Sequence, residues 1–167
     1  LLLDNIRAEA LNFLAVTPSA TQADMQHLYS KALVAYIEKG IEFELLSPEL
    51  AQFDLQRLGQ ALDANRDLQF TYLGLQTLYD RYFIHKDDVR IELPQVFFMR
   101  VAMGLAIQED DKNARAIEFY NLLSSFDYMS STPTLFNAGT LRPQLSSCYL
   151  TTVPDNLDGI YNAIHDN

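Results

Sequence analysis

Ser131-Thr-Pro-Thr-Leu-Phe-Asn-Ala-Gly139, followed by Leu145-Ser-Ser-Cys148-Tyr-Leu150, is the most informative stretch of the 167-residue chain. It joins a loop dense in hydroxyls and amides, with a proline and a glycine, to a short apolar run from Cys148 to Val153. Pro and Gly punctuate the first part, and β-branched residues mark the second, so the pattern predicts a polar loop leading into a strand. Cys148 is the chain's single cysteine. On a strand it would face away from Ser147, so both serve one site only if the backbone bends there or the strand is just beginning.

Outward from this stretch the pattern is helical. Leu3, Ile6, Ala10, Phe13 and Leu14 recur at helical spacing, and Thr17-Pro18-Ser19 ends that run. A second helix is expected over 21–39, with Met25, Leu28, Tyr29, Ala32, Tyr36 and Ile37 on one face and Gly40 as its stop. Ser47-Pro48 opens a third helix to about Leu62, a polar connection spans 63–67, and a fourth helix covers about 69–82. Tyr82–Ile84 and Val89–Ile91, flanking the polar His85-Lys-Asp-Asp88, read as a hairpin. Pro94 starts a fifth helix, the acidic Glu109-Asp-Asp111 introduces a sixth over 112–126, and Asp155 is placed to cap a last helix from about Asn156.

Composition narrows the function classes. Twelve Lys and Arg against 22 Asp and Glu give a net charge of −10. Such a chain lacks the clustered cations that nucleic acid or an anionic membrane surface requires. No apolar run approaches the ~18 residues of a membrane span. A single cysteine allows no internal disulfide, as suits a reducing cytoplasm. His27, His85 and His165 are far apart and have no metal-ligand spacing. The chain opens without Met inside an amphipathic pattern and closes within a helical one, so it reads as a piece of a larger protein.

The residues alone leave two readings of the motif. Ser and Thr hydroxyls in such a loop ordinarily cap their own turns, and a free cysteine is ordinarily a small packed hydrophobe. Alternatively, the hydroxyls of Thr132, Ser146 and Ser147, with loop N–H groups, are able to hold a diphosphate without positive charge.

Thr132-Pro-Thr-Leu-Phe-Asn-Ala-Gly139 and Leu145-Ser-Ser-Cys148 closely resemble two motifs of the ribonucleotide reductase large, catalytic subunit, in the same order. The likeness is greatest over 128–167 and continues through Phe70-Thr-Tyr-Leu-Gly-Leu75 and Arg90-Ile-Glu-Leu-Pro-Gln95. The resemblance implies a mainly α fold: a helical region over 1–127 with a small hairpin, running at 128–167 into the first strand of an α/β barrel. It implies that Thr132 and Ser147 contact substrate phosphate. It makes Cys148 one of two redox-active cysteines that reduce the ribose, and places Asp155 against a deoxynucleotide effector. By the same resemblance the whole enzyme reduces ribonucleotides by thiyl-radical chemistry and answers to deoxynucleotide or ATP effectors. It would form a homodimer, and thioredoxin or glutaredoxin would re-reduce it. No cofactor is expected in this chain. The radical would come from a metal-containing small subunit, or from cobalamin in a related class. The rival is a non-enzymatic helical interaction module whose Cys148 is structural.

Overall fold

The computed structural model describes residues 1–148 and 150–165. Its helices are α1 (Leu2–Phe13), α2 (Gln22–Glu42), α3 (Leu55–Gln60), α4 (Tyr72–Arg81), α5 (Pro94–Ala106), α6 (Lys112–Ser124), α7 (Thr132–Asn137) and α8 (Leu157–His165). Two 3-10 segments, Pro48–Gln52 and Ala64–Gln69, join the early helices. A hairpin of β1 (His85–Lys86) and β2 (Val89–Arg90) sits between α4 and α5.

The centre of the core is α5. Every residue from Pro94 to Met103 is buried, as a helix apolar on all sides must be. It packs chiefly against α6 and also touches α2. The faces expected on the first two helices are the buried ones, with Ile6 and Ala10 on α1 and Met25, Tyr29, Ala32, Tyr36 and Ile37 on α2. Polar side chains also enter this interior, each with partners. The carboxylate of Asp67 accepts from Arg7 at 2.8 Å, from the Tyr29 hydroxyl and from the Gln95 amide. Burial pushes the Asp67 carboxyl up, and the hydrogen bonds from Arg7, Gln95 and Tyr29 oppose the shift.

Several boundaries differ from the sequence reading for local reasons. α2 runs past Gly40 to Glu42, because Gly40 serves close packing against Leu46, while Glu44 makes the left-handed exit at φ 57°. The single helix expected over 47–62 is two pieces. Asp54 accepts from the Arg57 N–H and starts α3 afresh. The hairpin is shifted toward its tip, so His85 and Lys86 are strand residues. Asp87 and Asp88 alone make the turn, at φ 50° and 65°, the positive angles a two-residue hairpin of this type requires. α7 lies where a loop was expected, with Pro133 in its first turn.

No strand forms among the described residues of Cys148–Val153. A strand is defined by its pairing, and among the described residues the one sheet pairs β1 with β2.

The motif segment is seated on α5 by an approach of backbone to backbone. A Cβ built on Gly104 would lie 2.2 Å from the Gly139 nitrogen and 2.6 Å from the Ala138 carbonyl carbon. Gly139 itself has φ 79° and donates no side chain to the crowded contact with the Arg100 carbonyl. Gly104→Ala must therefore push 138–139 off α5. The expected cost is about 1–3 kcal/mol of overpacking, read from urea unfolding.

Candidate substrate cleft

The segment from 131 to 148 is built from α7 outward. Thr134 and Asn137 are three apart and share one face of this short helix. The Thr134 hydroxyl donates to the Leu145 carbonyl at 3.1 Å, and the Asn137 amide donates to the Gln144 carbonyl at 2.8 Å. These two bonds fold residues 144–147 back along α7. Ser146 and Ser147 thereby come round to the same opening as Thr132, in a cleft of about 370 Å³. Pro133, Phe136, Asn137 and Gln144 complete its lining. None of these lining residues is charged, so the cleft offers an anion neutral hydroxyl and amide donors. A slightly larger groove of about 410 Å³ beside Leu105, Phe119 and Leu122 is almost wholly apolar and offers no convergent polar groups.

Cys148 is a free, exposed thiol at the end of this wall. Its Sγ lies 3.6 Å from the Ser147 Oγ. The backbone is irregular there, so adjacency in sequence does not force the two side chains apart as a formed strand would. Thr132 and Ser147 thus share one opening, and Cys148 lies beside Ser147, next to the lining residues and not among them.

Asp155 is exposed and outside the cleft lining. The cap expected of it belongs to its neighbour: the Asn156 Oδ1 accepts from the Gly159 N–H at 2.7 Å. Counting from Leu157 as the first helical residue, that is the bond an N-cap side chain makes. Gly139 also lies away from the cleft. It seats the segment on α5, and its carbonyl accepts from the Ser47 N–H at 2.9 Å.

A buried hub that sequence reasoning missed holds the segment from beneath. The Arg100 guanidinium donates to the carbonyls of Leu135 at 3.0 Å and Ala138 at 2.8 Å. These carbonyls sit at the C-terminal end of α7, where backbone acceptors lack helical partners. The same guanidinium pairs with Glu92 at 2.8 Å, with both side chains fully buried. Glu92 also accepts from the Tyr36 hydroxyl and from the Ile84 N–H. Burial would lower the Arg100 pKa, but the Glu92 carboxylate overcomes it and the net shift is upward. Burial, and then the Glu92 charge, push the Tyr36 phenol well above its ordinary value. The signal was present in the sequence: Arg100 is the one charged residue in the apolar run Val96–Ala106, and such a residue needs a buried partner.

Among the described residues, no group of three or more His, Cys, Asp or Glu is arranged to hold a metal. No helix among them is long and apolar enough to cross a membrane.

The family model for the ribonucleotide reductase all-alpha domain matches residues 68–143, from the end of the second 3-10 segment to just beyond α7. The full chain aligns with the ribonucleoside-diphosphate reductase subunit alpha of Chlamydia muridarum at 52% identity. The subunit alpha of Helicobacter pylori is 41% identical over 96% of the chain, and the large subunit of Plasmodium falciparum 38% over 81%. The chain belongs to the ribonucleotide reductase large-subunit family. It spans about a sixth to a fifth of the length of these relatives, 16%, 21% and 17% respectively. Nothing in these likenesses favours a non-enzymatic interaction module.

Proposed function

We propose that this chain supplies the substrate-phosphate cleft and one redox-active cysteine of a ribonucleotide reductase catalytic subunit. The observation that supports this most is the meeting of Thr132, Ser146 and Ser147 at one opening, with the Cys148 thiol 3.6 Å from the Ser147 hydroxyl. Thr132 and Ser147 donate hydrogen bonds to a phosphate group of a ribonucleoside diphosphate. Cys148 acts as one half of a dithiol. In the net reaction two thiols become a disulfide, the 2′ carbon gives up its hydroxyl as water, and a deoxyribonucleotide remains. Two electrons leave the sulfurs and enter the ribose. One cysteine cannot complete that transfer, so a second thiol from elsewhere in the subunit is required.

In this reading residues 1–127 form the helical region and 128–167 open the catalytic barrel, with Cys148–Val153 pairing as its first strand. Asp155 contacts a deoxynucleotide effector. A radical-generating small subunit, a second catalytic subunit and a dithiol reductant such as thioredoxin are the partners, and the cytoplasm is the compartment. A solvent-exposed free thiol fits a reducing compartment.

Substitution at the cleft tests the reading. A hydrogen bond to a charged group contributes about 1.5–3 kcal/mol. Thr132→Val or Ser147→Ala in the full-length subunit should therefore weaken CDP binding by roughly tenfold or more, measured by calorimetric titration. Binding of a deoxynucleotide effector should change far less. Unchanged CDP affinity in both variants would return these hydroxyls to local turn chemistry.

A further inference from the structure

We infer that Tyr82 is a positioning residue for substrate phosphate, acting by fixing the Thr132 hydroxyl as a donor into the cleft; this rests on the phosphate-binding reading of Thr132. The Tyr82 phenol oxygen lies 3.2 Å from the Thr132 Oγ1. Its ring stacks on Phe136 with centroids 4.8 Å apart and planes 21° from parallel. Phe136 is itself a wall of the cleft. Tyr82 is anchored at its own backbone, where its N–H closes the last turn of α4 on the Leu78 carbonyl at 2.9 Å. The phenol is therefore held in place from both its backbone and its ring face.

The chemistry follows from counting protons. A threonine hydroxyl has one proton and two lone pairs. It is useful to a phosphate oxygen only while it donates. The Tyr82–Thr132 geometry admits either direction. Once Thr132 gives its proton to an anion, only the phenol can donate within the pair. Tyr82 then occupies a Thr132 lone pair, disfavours the rotamers in which Thr132 would accept elsewhere, and polarises the outgoing O–H bond. In a cleft lined by no lysine or arginine, orienting a neutral donor is the available route to a stronger anion contact.

The experiment is a double-mutant cycle in the full-length subunit, with CDP as the probe. Tyr82→Phe keeps the ring on Phe136 and removes only the hydroxyl. It should raise the CDP Kd about threefold to tenfold, the effect of one hydrogen bond, with the loss falling on KM rather than kcat. In a Thr132→Val background the same substitution should have no further effect, because its target is gone. In a Thr132→Ser background, which retains the hydroxyl, the Tyr82→Phe effect should return. A Tyr82→Phe subunit that binds CDP like the parent, while Thr132→Val is weakened, would overturn the role of Tyr82 and leave the cleft intact. Additive losses in the double variant would overturn it too, since Tyr82 would then act without Thr132. Unchanged affinity in Thr132→Val would instead remove the phosphate reading beneath both.

Discussion

Cys148→Ser in the full-length subunit should reduce multiple-turnover formation of deoxyribonucleotide to background, with the protein folded as before. The thiol is exposed, so a nearly isosteric oxygen in its place disturbs no packing. Stability should stay within about 0.5 kcal/mol of the parent, as for other surface substitutions. Serine cannot form a disulfide, so the two electrons needed at each turnover have no route back through this position. The assay is steady-state CDP reduction with excess dithiol reductant, beside a thermal melt. Normal turnover in the variant would make Cys148 a bystander.

Arg100→Met should be the most destabilising single change in the chain. It leaves the Glu92 carboxylate buried with no cation, and strands the Leu135 and Ala138 carbonyls. Breaking a buried pair from one side costs about 3–5 kcal/mol, much of it the uncompensated charge left behind. A second substitution, Glu92→Leu on the Arg100→Met background, removes that charge and should recover part of the loss. The recovery stays incomplete because the α7 carbonyls still lack their donor. Urea unfolding of the parent and both variants measures the difference. Equal stability of the single and double variants would place the cost in the carbonyls instead of the ion pair.

The helices were legible because their signals are local. Apolar spacing marked the buried faces of α1 and α2, and Pro94 marked the start of α5. Asp111 caps α6 by accepting from the Ala114 N–H, as the acidic cluster before it suggested. Where two signals competed, the reading slipped. Asp155 and Asn156 are both good caps, and only the backbone geometry selects Asn156. Gly40 has the composition of a helix stop, but its lack of a side chain is used by Leu46. The motif was read as a loop because its serines, threonines and proline favour turns, yet Ser131 and Pro133 equally favour a helix start.

The cleft was legible in its residues but not in its architecture. Thr132, Ser146, Ser147 and Cys148 could be named from the motif. The bonds that bring them together run from Thr134 and Asn137 to backbone carbonyls at 145 and 144, and these pairings leave no trace in spacing. The supporting polar residues were harder still. Glu92, Gln95 and Arg100 are all fully buried, and their partners on α2, α6 and α7 are 25 to 56 residues away. Tyr82 reads in the sequence as the end of the fourth helix and the edge of the hairpin, and its contact with Thr132 spans 50 residues.

The route of the Arg100 hub has a consequence for how the site moves. Short surface helices ordinarily fray on their own, at little free-energy cost. The end of α7 is instead tied through Arg100 and Glu92 to Tyr36 in the middle of α2 and to Ile84 beside the hairpin. Loosening the backbone at 135–138 requires opening an ion pair at the centre of the core. Amides at the floor of the cleft should therefore exchange as slowly as those of the core, whereas Ser146 and Ser147, which lie beyond the Leu145 anchor, should exchange faster and adjust more readily to an incoming ligand.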